Sequence, residues 1–379
     1  MKRIAITPRN FWQNKVETLG FGFHSLEGIK YWDESAYYQF TYSQIEQLEK
    51  ATNILHEMCL EAVQYVMDHN LYHLFHIPAS VIPLIERSWE NDEPSLYGRF
   101  DLAYDGIHPP KMLEYNADTP TSLYEAGIVQ YFWSEEVRRG VDQFNSIHEK
   151  LVDYFRSVKP YLKPGKIYFA CIKESLEDLT TVEYIRACAL EAELVTEFIY
   201  IDEIGWDSKT QTFVDNQEMD MQNIFKLYPW EWMVNEEFGQ NLLIDRNQTL
   251  WIEPAWKMIL SNKAILPILW QLFPNHPNLL PSYFEKPASW DTYVAKPLLS
   301  REGANVEIVE NGNTILETEG EYGEEGFIFQ EFYPLPEFEG NYAVIGSWVI
   351  GQESAGIGIR ENTTLVTNNT SRFIPHVIV

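Results

Sequence analysis

RFDLAYDG at 99–106 and KMLEYNAD at 111–118, joined by Ile107-His108-Pro109-Pro110, form the stretch on which the fold turns. Two alternating runs around a Gly/Pro turn predict a β-hairpin. A turn centred on Ile107-His108 sets Asp101 opposite Glu114 and Arg99 opposite Asn116. Residues two apart on a strand share a face. Arg99 and Asp101 would therefore look the same way, as would Glu114 and Asn116, and a slip of one residue would turn one pair away. Directly opposed carboxylates destabilise a ladder. A Mg²⁺ ion would remove that penalty, because Asp, Glu and an Asn carbonyl are hard oxygen ligands, and Arg99 beside them would meet phosphate. The plainer alternative is a solvated polar face balanced by Arg99, with Lys111 nearby.

Three later segments carry compatible chemistry. YVAKPLLSREGANV at 293–306 places Lys296 on a strand before a loop containing Gly303. Such a lysine, with backbone N–H groups, can meet nucleotide phosphates, and residues 300–305 are the candidate lid. FIFQEFYPLPEF at 327–338 is an apolar strand ending in Gln330-Glu331 and a proline-braked linker, a step that can hold adenine. GIGIRENTTLVTNNTSRFIPH at 356–376 sends Arg360 out of a Gly-rich strand, which suits stabilising an anion. Taken singly, these could equally be an ordinary strand end and a surface turn. No G-x-x-x-x-G-K-[ST] occurs, nor a G-x-G-x-x-G after a strand, so neither a P-loop nor a dinucleotide fingerprint is present. H-E-x-x-H and G-x-S-x-G are also missing. His24, His108 and His376 read as structural residues.

Around these motifs the texture alternates. Residues 41–69 predict a helix capped by Thr41, with Ile45, Leu48, Leu55, Cys59, Ala62 and Val66 at helical spacing. A second helix is expected over 134–157 and a third over 258–273. After Lys163-Pro164-Gly165, a strand at 166–172, a helix at 176–190 and strand-like runs at 194–201 and 224–233 predict a small α/β unit within 165–250. Beyond 291, strands separated by Gly-rich turns predict antiparallel sheet.

The whole chain has 379 residues, of which 45% are hydrophobic and 15% aromatic, so a disordered protein is excluded. Its 28 Lys and Arg against 56 Asp and Glu give a net charge of −28. Duplex DNA and anionic membranes are poor partners for such a surface, whereas a cationic small molecule suits it. Cys59, Cys171 and Cys188 form no C-x-x-C pair, which fits a reducing cytoplasm. The N-terminal MKRIAITPRN lacks an apolar run, and no stretch approaches the ~18 residues of a membrane span.

The hairpin with its continuation to TPTSLYE, SNKAILPILW at 261–270, YVAKPLLSREGANV, FIFQEFYPLPEF and GIGIRE…SRFIPH together resemble the synthetase domain of the glutathionylspermidine synthase family, over nearly the whole chain. The resemblance implies an α+β ATP-grasp fold, similar to glutathione synthetase. Its body would be built from 1–150 and 251–379, with 165–250 as an inserted α/β subdomain. It implies ATP and Mg²⁺ as cofactors and an acyl phosphate captured by an amine. In that family pattern Asp101, Glu114 and Asn116 hold the metal, and Arg99 and Arg360 act at the reacting phosphate. Lys263, Lys296, Gly303 and Gln330 bind nucleotide. Thr119 and Thr121 fall where the acid peptide is held, and Glu177 and Asp178 near the amine-recognition pair. The bifunctional members carry an N-terminal amidase domain; this chain begins in the synthetase, so a stand-alone acid–amine ligase is expected, acting on a glutathione-like carboxylate and a polyamine-like amine. A non-catalytic nucleotide- or polyamine-binding protein on the same fold, and an amino-acid ligase, are the alternatives.

Overall fold

The computed structural model describes residues 1–26, 28–368 and 371–379. Asn369 and Thr370 of the C-terminal motif lie outside the described residues.

The hairpin forms the edge of the largest sheet. Tyr97–Ala103 pairs with Lys111–Asn116 on one side and with Asn341–Ile350 on the other, and Glu353–Asn362 and Arg372–Ile374 extend the sheet antiparallel. Residues distant in sequence are thus neighbours: Asp101 lies beside Gly346, and Val344 beside Arg360. The long helix Tyr42–Asp68 packs on this sheet. It begins where expected, because Thr41 and Gln44 close a reciprocal capping box. Its stripe of Leu48, Leu55, Cys59, Ala62 and Val66 is buried, and Thr52 reaches Ser347 of the sheet at 2.6 Å. A smaller sheet sets Lys2–Ala5 antiparallel and His376–Ile378 parallel to Ala36–Phe40, so both ends of the chain share one sheet.

Ile167–Cys171, Thr196–Tyr200, Asn223–Lys226 and Leu250–Ile252 make a four-stranded parallel sheet, with the helix Leu176–Glu191 crossing between the first two. Every residue of Ile167–Cys171 is buried, as both faces of a parallel sheet require. The last sheet is antiparallel, in the order Ser282–Tyr283, Phe327–Gln330, Tyr293–Pro297, Glu307–Glu310, Asn313–Glu317.

Three expected elements are divided in the structure. The helix expected over 134–157 is two helices, Gln130–Val137 and Ile147–Val158. Between them Gly140 turns at φ 79°, and Asp142 and Asn145 make bridges to Ile378 and Gly356 that a continuous helix could not reach. The helix over 258–273 is likewise split into Lys257–Leu260 and Ile265–Leu272. Asn262 accepts from the backbone N–H of Ala264 at 2.9 Å, and the Lys263 N–H donates to the Leu298 carbonyl at 2.9 Å, so local and long-range bonds replace helical ones. The run 224–233 is strand only to Lys226; after Pro229 the chain turns helical over Trp230–Met233.

Among the described residues no helix is long and apolar enough to cross a membrane. The three cysteines are buried and unpaired. His376 is structural as expected: buried, it contacts Gln130 at 2.9 Å and accepts from the Phe144 N–H at 3.1 Å.

Candidate active site

The hairpin register is the one read from the sequence: Arg99 faces Asn116 and Asp101 faces Glu114, with a bulge just beyond Asp101 that resets the pairing to Leu102–Met112. The two opposed carboxylates are each held by cations. Arg99 donates to both oxygens of Asp101, at 2.7 and 3.2 Å, and Arg360 adds a bond at 2.7 Å. Lys263 lies 3.2 Å from Glu114, and Asn116 donates to the same carboxylate at 3.2 Å. Burial alone would push the Glu114 carboxyl up; Lys263 and Lys296 outweigh it and hold it well below the usual carboxylate range.

Each cation reaches the site for a local reason. Lys263 sits in the break between two short helices, where its ammonium also donates to the Ser300 carbonyl at 2.5 Å. Lys296, on the strand Tyr293–Pro297, donates to the Leu113 carbonyl at 2.9 Å and to Gln330 at 2.7 Å on the adjacent strand. Burial lowers its pKa to about 8, against the pull of Glu114. Arg99 is turned by a further bond to the Thr121 carbonyl at 2.7 Å and lies 5.8 Å from the Trp348 ring.

Two clefts meet here. One encloses about 770 Å³, partly open to solvent, and runs from Asp101, Glu114 and Lys263 past Lys296 to Gln330, between Val294, Val306, Ile308 and Leu335. A charged mouth leading to an apolar slot is the usual build of a small-molecule site. The other, of about 460 Å³, is lined by Asn116, Asp118, Thr119, Glu231 and Arg301, and shares Glu114, Lys263 and Ser300 with the first. Gly303 has φ +71°, and a Cβ there would lie 2.6 Å from the Thr367 carbonyl oxygen, so the loop passes tightly against 366–367 over the first cleft.

Arg99, Asp101, Glu114, Asn116, Lys263, Lys296, Gly303, Gln330 and Arg360 are thus brought together. Thr119 borders the second cleft, accepting from Arg301 at 2.6 Å. Thr121 lies near Glu177, at the start of the helix Leu176–Glu191, and its carbonyl accepts from Arg99. Asp178 lies beside Glu177; burial and then Glu177 raise its pKa to about 6.

The sequence reading missed the supports. Arg301 grips Glu231 at 2.5 Å, and Asp118 accepts from Lys226 at 2.8 Å and from the Trp230 N–H at 2.9 Å, both carboxylates standing at the joint between the parallel sheet and the hairpin. Arg301 and Asp118 lie inside stretches already quoted from the sequence, whereas Lys226 and Glu231 carry no pattern that would have marked them. Among the described residues no three His, Cys, Asp or Glu side chains gather as a metal centre, so a cation here would have two carboxylates and an amide. That set fits Mg²⁺, which keeps most of its waters and takes few protein ligands.

Residues 3–379 match the family described as glutathionylspermidine synthase preATP-grasp. A Haemophilus influenzae protein named "Putative acid--amine ligase" is 41% identical, with 100% of both chains covered. Trypanothione synthetase of Crithidia fasciculata is 30% identical over 84% of this chain and 53% of its own. The bifunctional glutathionylspermidine synthetase/amidase of Escherichia coli is 30% identical over 92% of this chain and 60% of its own. The chain therefore spans little more than half the length of these two relatives. Among solved structures, a glutathione synthetase-like effector from Globodera pallida superposes with a TM-score of 0.57 at 12% identity, covering 93% of each chain, and so shares the α+β fold. On the extent of these matches, the chain belongs to the glutathionylspermidine synthase preATP-grasp family.

Proposed function

We propose that this chain, by family an ATP-dependent carbon–nitrogen ligase, forms an amide between a peptide-like carboxylate and a polyamine-like amine through an acyl phosphate, on an ATP-grasp body. The observation that carries the reading is the opposed pair Asp101 and Glu114, ringed by Arg99, Arg360, Lys263 and Lys296 at the mouth of an apolar cleft ending at Gln330.

When bound, ATP with Mg²⁺ would supply the phosphoryl group and part of its charge neutralisation; Asp101, Glu114 and Asn116 would hold the ion. The chain's own residues do the rest. Lys263 and Lys296 neutralise phosphate charge, while Gln330 and the apolar walls of the cleft orient the base. Arg99 and Arg360 offer planar donors that can hold two phosphoryl oxygens at once. Because phosphoryl transfer is catalysed chiefly by positioning and charge stabilisation, four converging cations are what the reaction needs. Residues 300–305 act as the lid that keeps water from the activated acyl group. The second cleft, with Thr119 and Thr121 at its border, takes the acid. Glu177 and Asp178 face the amine. A small-molecule ligase in a reducing cytoplasm, with no nucleic-acid or membrane partner, completes the proposal.

The test is a panel of peptide-like acids and amines, scored by ADP release and by mass detection of the amide. ADP and amide formed in equal amounts support the ligase reading. ATP binding with no ADP release for any pair would leave a non-catalytic binding protein, and amides formed only from free amino acids would move the assignment to an amino-acid ligase.

A further inference from the structure

Three residues line both clefts: Glu114, Lys263 and Ser300. Glu114 is the hard carboxylate of the hairpin, and Lys263 is its counter-charge at 3.2 Å. Ser300 has no such task. The residue is 5% exposed, and its Oγ is buried with no hydrogen-bond partner among the described residues. A hydroxyl rotor can turn to any acceptor in reach, so one left unpaired in the interior costs folding free energy that nothing local repays.

The serine is also held in place. Its carbonyl accepts from the Lys263 ammonium at 2.5 Å. Two residues earlier the Leu298 N–H donates to the Gly326 carbonyl at 3.1 Å, and the Leu298 carbonyl accepts from the Lys263 N–H at 2.9 Å. Ser300 therefore stands at the fixed foot of the 300–305 loop rather than at its tip. Its neighbour Arg301 is committed to Glu231 and Thr119. Among the described residues no histidine lines either cleft, and the carboxylates of the second, Glu114, Asp118 and Glu231, are each paired with a cation. No free base stands ready to make the hydroxyl a nucleophile, so its chemistry is that of a donor, preorganised and shielded from water.

We propose that Ser300 is a catalytic residue, whose hydroxyl donates to a non-bridging oxygen of the phosphoryl group as that group passes from nucleotide to acid. The inference rests on the ligase reading and adds a donor to it. In the first cleft the phosphoryl group is the end of the nucleotide; in the second it is the activated end of the acid. It is the one group that both clefts share, as Ser300 is shared. The serine keeps its proton: the bond that forms joins an oxygen of the acid to phosphorus, the bond that breaks releases ADP with its electron pair, and none is made to Oγ. A donor aimed at charge that grows during transfer acts on the transition state more than on bound ATP.

The test compares the wild type with Ser300→Ala and with Ser300→Cys, which nearly keeps the size but donates weakly. Calorimetry measures binding of ADP and Mg²⁺ with and without aluminium fluoride, which beside ADP imitates the phosphoryl group in transfer. The wild type should bind ADP more tightly with aluminium fluoride, and Ser300→Ala should lose at least tenfold of that gain, with Ser300→Cys between them. Affinity for ADP or ATP alone should change by less than about threefold. The unfolding temperature should not fall in Ser300→Ala, because an unpaired hydroxyl is removed and not a bond. With a substrate pair that yields amide, kcat should drop roughly ten- to a hundredfold at an unchanged KM for ATP. An equal gain from aluminium fluoride in wild type and Ser300→Ala overturns the inference, as does a wild type with no gain. A lowered unfolding temperature in Ser300→Ala overturns it too, by making the hydroxyl a structural bond. The ligase reading is decided by amide formation in the wild type, whichever way the aluminium fluoride comparison falls, so the two claims fail separately.

Discussion

Replacing Arg360 by alanine separates a catalytic guanidinium from a structural one. In the structure its side chain is 17% exposed and gives one hydrogen bond, at 2.7 Å, to Asp101, which keeps both bonds from Arg99 when Arg360 is gone. The folding cost is therefore that of a single half-buried charged bond, about 1–2 kcal/mol, below what stranding a buried charge would cost. The cost to the reaction is larger. Losing one preorganised donor to developing charge raises the barrier by about 3–4 kcal/mol, or roughly 100- to 1,000-fold in kcat. ATP affinity should change by less than about threefold, because Lys263, Lys296 and Gln330 remain. Arg360→Lys restores the charge but not the two-pronged geometry, and should recover only part of the rate. The assay is ADP release under saturating ATP with a substrate pair that yields amide, alongside thermal unfolding of each variant. A kcat within about threefold of wild type in Arg360→Ala would refute the reasoning and leave Arg360 as a counter-ion of Asp101. An equal loss in ATP affinity and in kcat would assign it to ground-state binding instead.

Glu114→Gln should lower the unfolding temperature, because buried Lys263 and Lys296 lose the charge that balances them, and should also raise the Mg²⁺ concentration needed for half-maximal turnover; an unchanged Mg²⁺ titration would remove Glu114 from the metal set. Gly303→Ala places a Cβ 2.6 Å from the Thr367 carbonyl oxygen at φ +71°, so the lid should close poorly, with increased water-driven ATP hydrolysis per amide formed; an unaltered ratio of ADP to amide would exclude a shielding role. Lys296→Ala should weaken ATP binding at least tenfold, and hydrogen exchange over 300–305 should then lose its slowing by ATP and Mg²⁺; exchange that never responds to ATP in the wild type would dismiss the lid. Glu125 makes stability depend on pH. Burial and Glu177 raise its folded-state pKa above the unfolded value near 4.5, so its contribution is fully present below that pH and is lost as the pH rises through the raised value. Glu125→Gln should therefore gain more in unfolding temperature over wild type at pH 9 than at pH 4.5; a gain independent of pH would show that Glu125 does not titrate there.

What the sequence determined by itself was local and periodic. The hairpin and its register followed from alternation around a Gly/Pro turn, and with them the facing of Asp101 and Glu114. The helix from Tyr42 followed from its apolar spacing and the Thr41 cap. Lys296, Gln330 and Arg360 stood out because each ends or interrupts an apolar strand. The tertiary structure alone decided which of these meet. Arg360 reaches Asp101 only because Asn341–Ile350 pairs with Tyr97–Ala103 on one edge and Glu353–Asn362 on the other, a pairing set by burial across the sheet rather than by any neighbour in sequence. The same competition split two expected helices: bonds from Lys263 to Leu298, and from Asn145 and Asp142 to the C-terminal strands, replaced intrahelical ones whose periodicity looked continuous. Ser300 fell within the loop expected to close, but its hydroxyl carried no distinguishing pattern. That the hydroxyl is buried, unpaired and common to both clefts is decided only once the break at Lys263 and the strand Tyr293–Pro297 are folded against the hairpin, since solvation is set by distance in space.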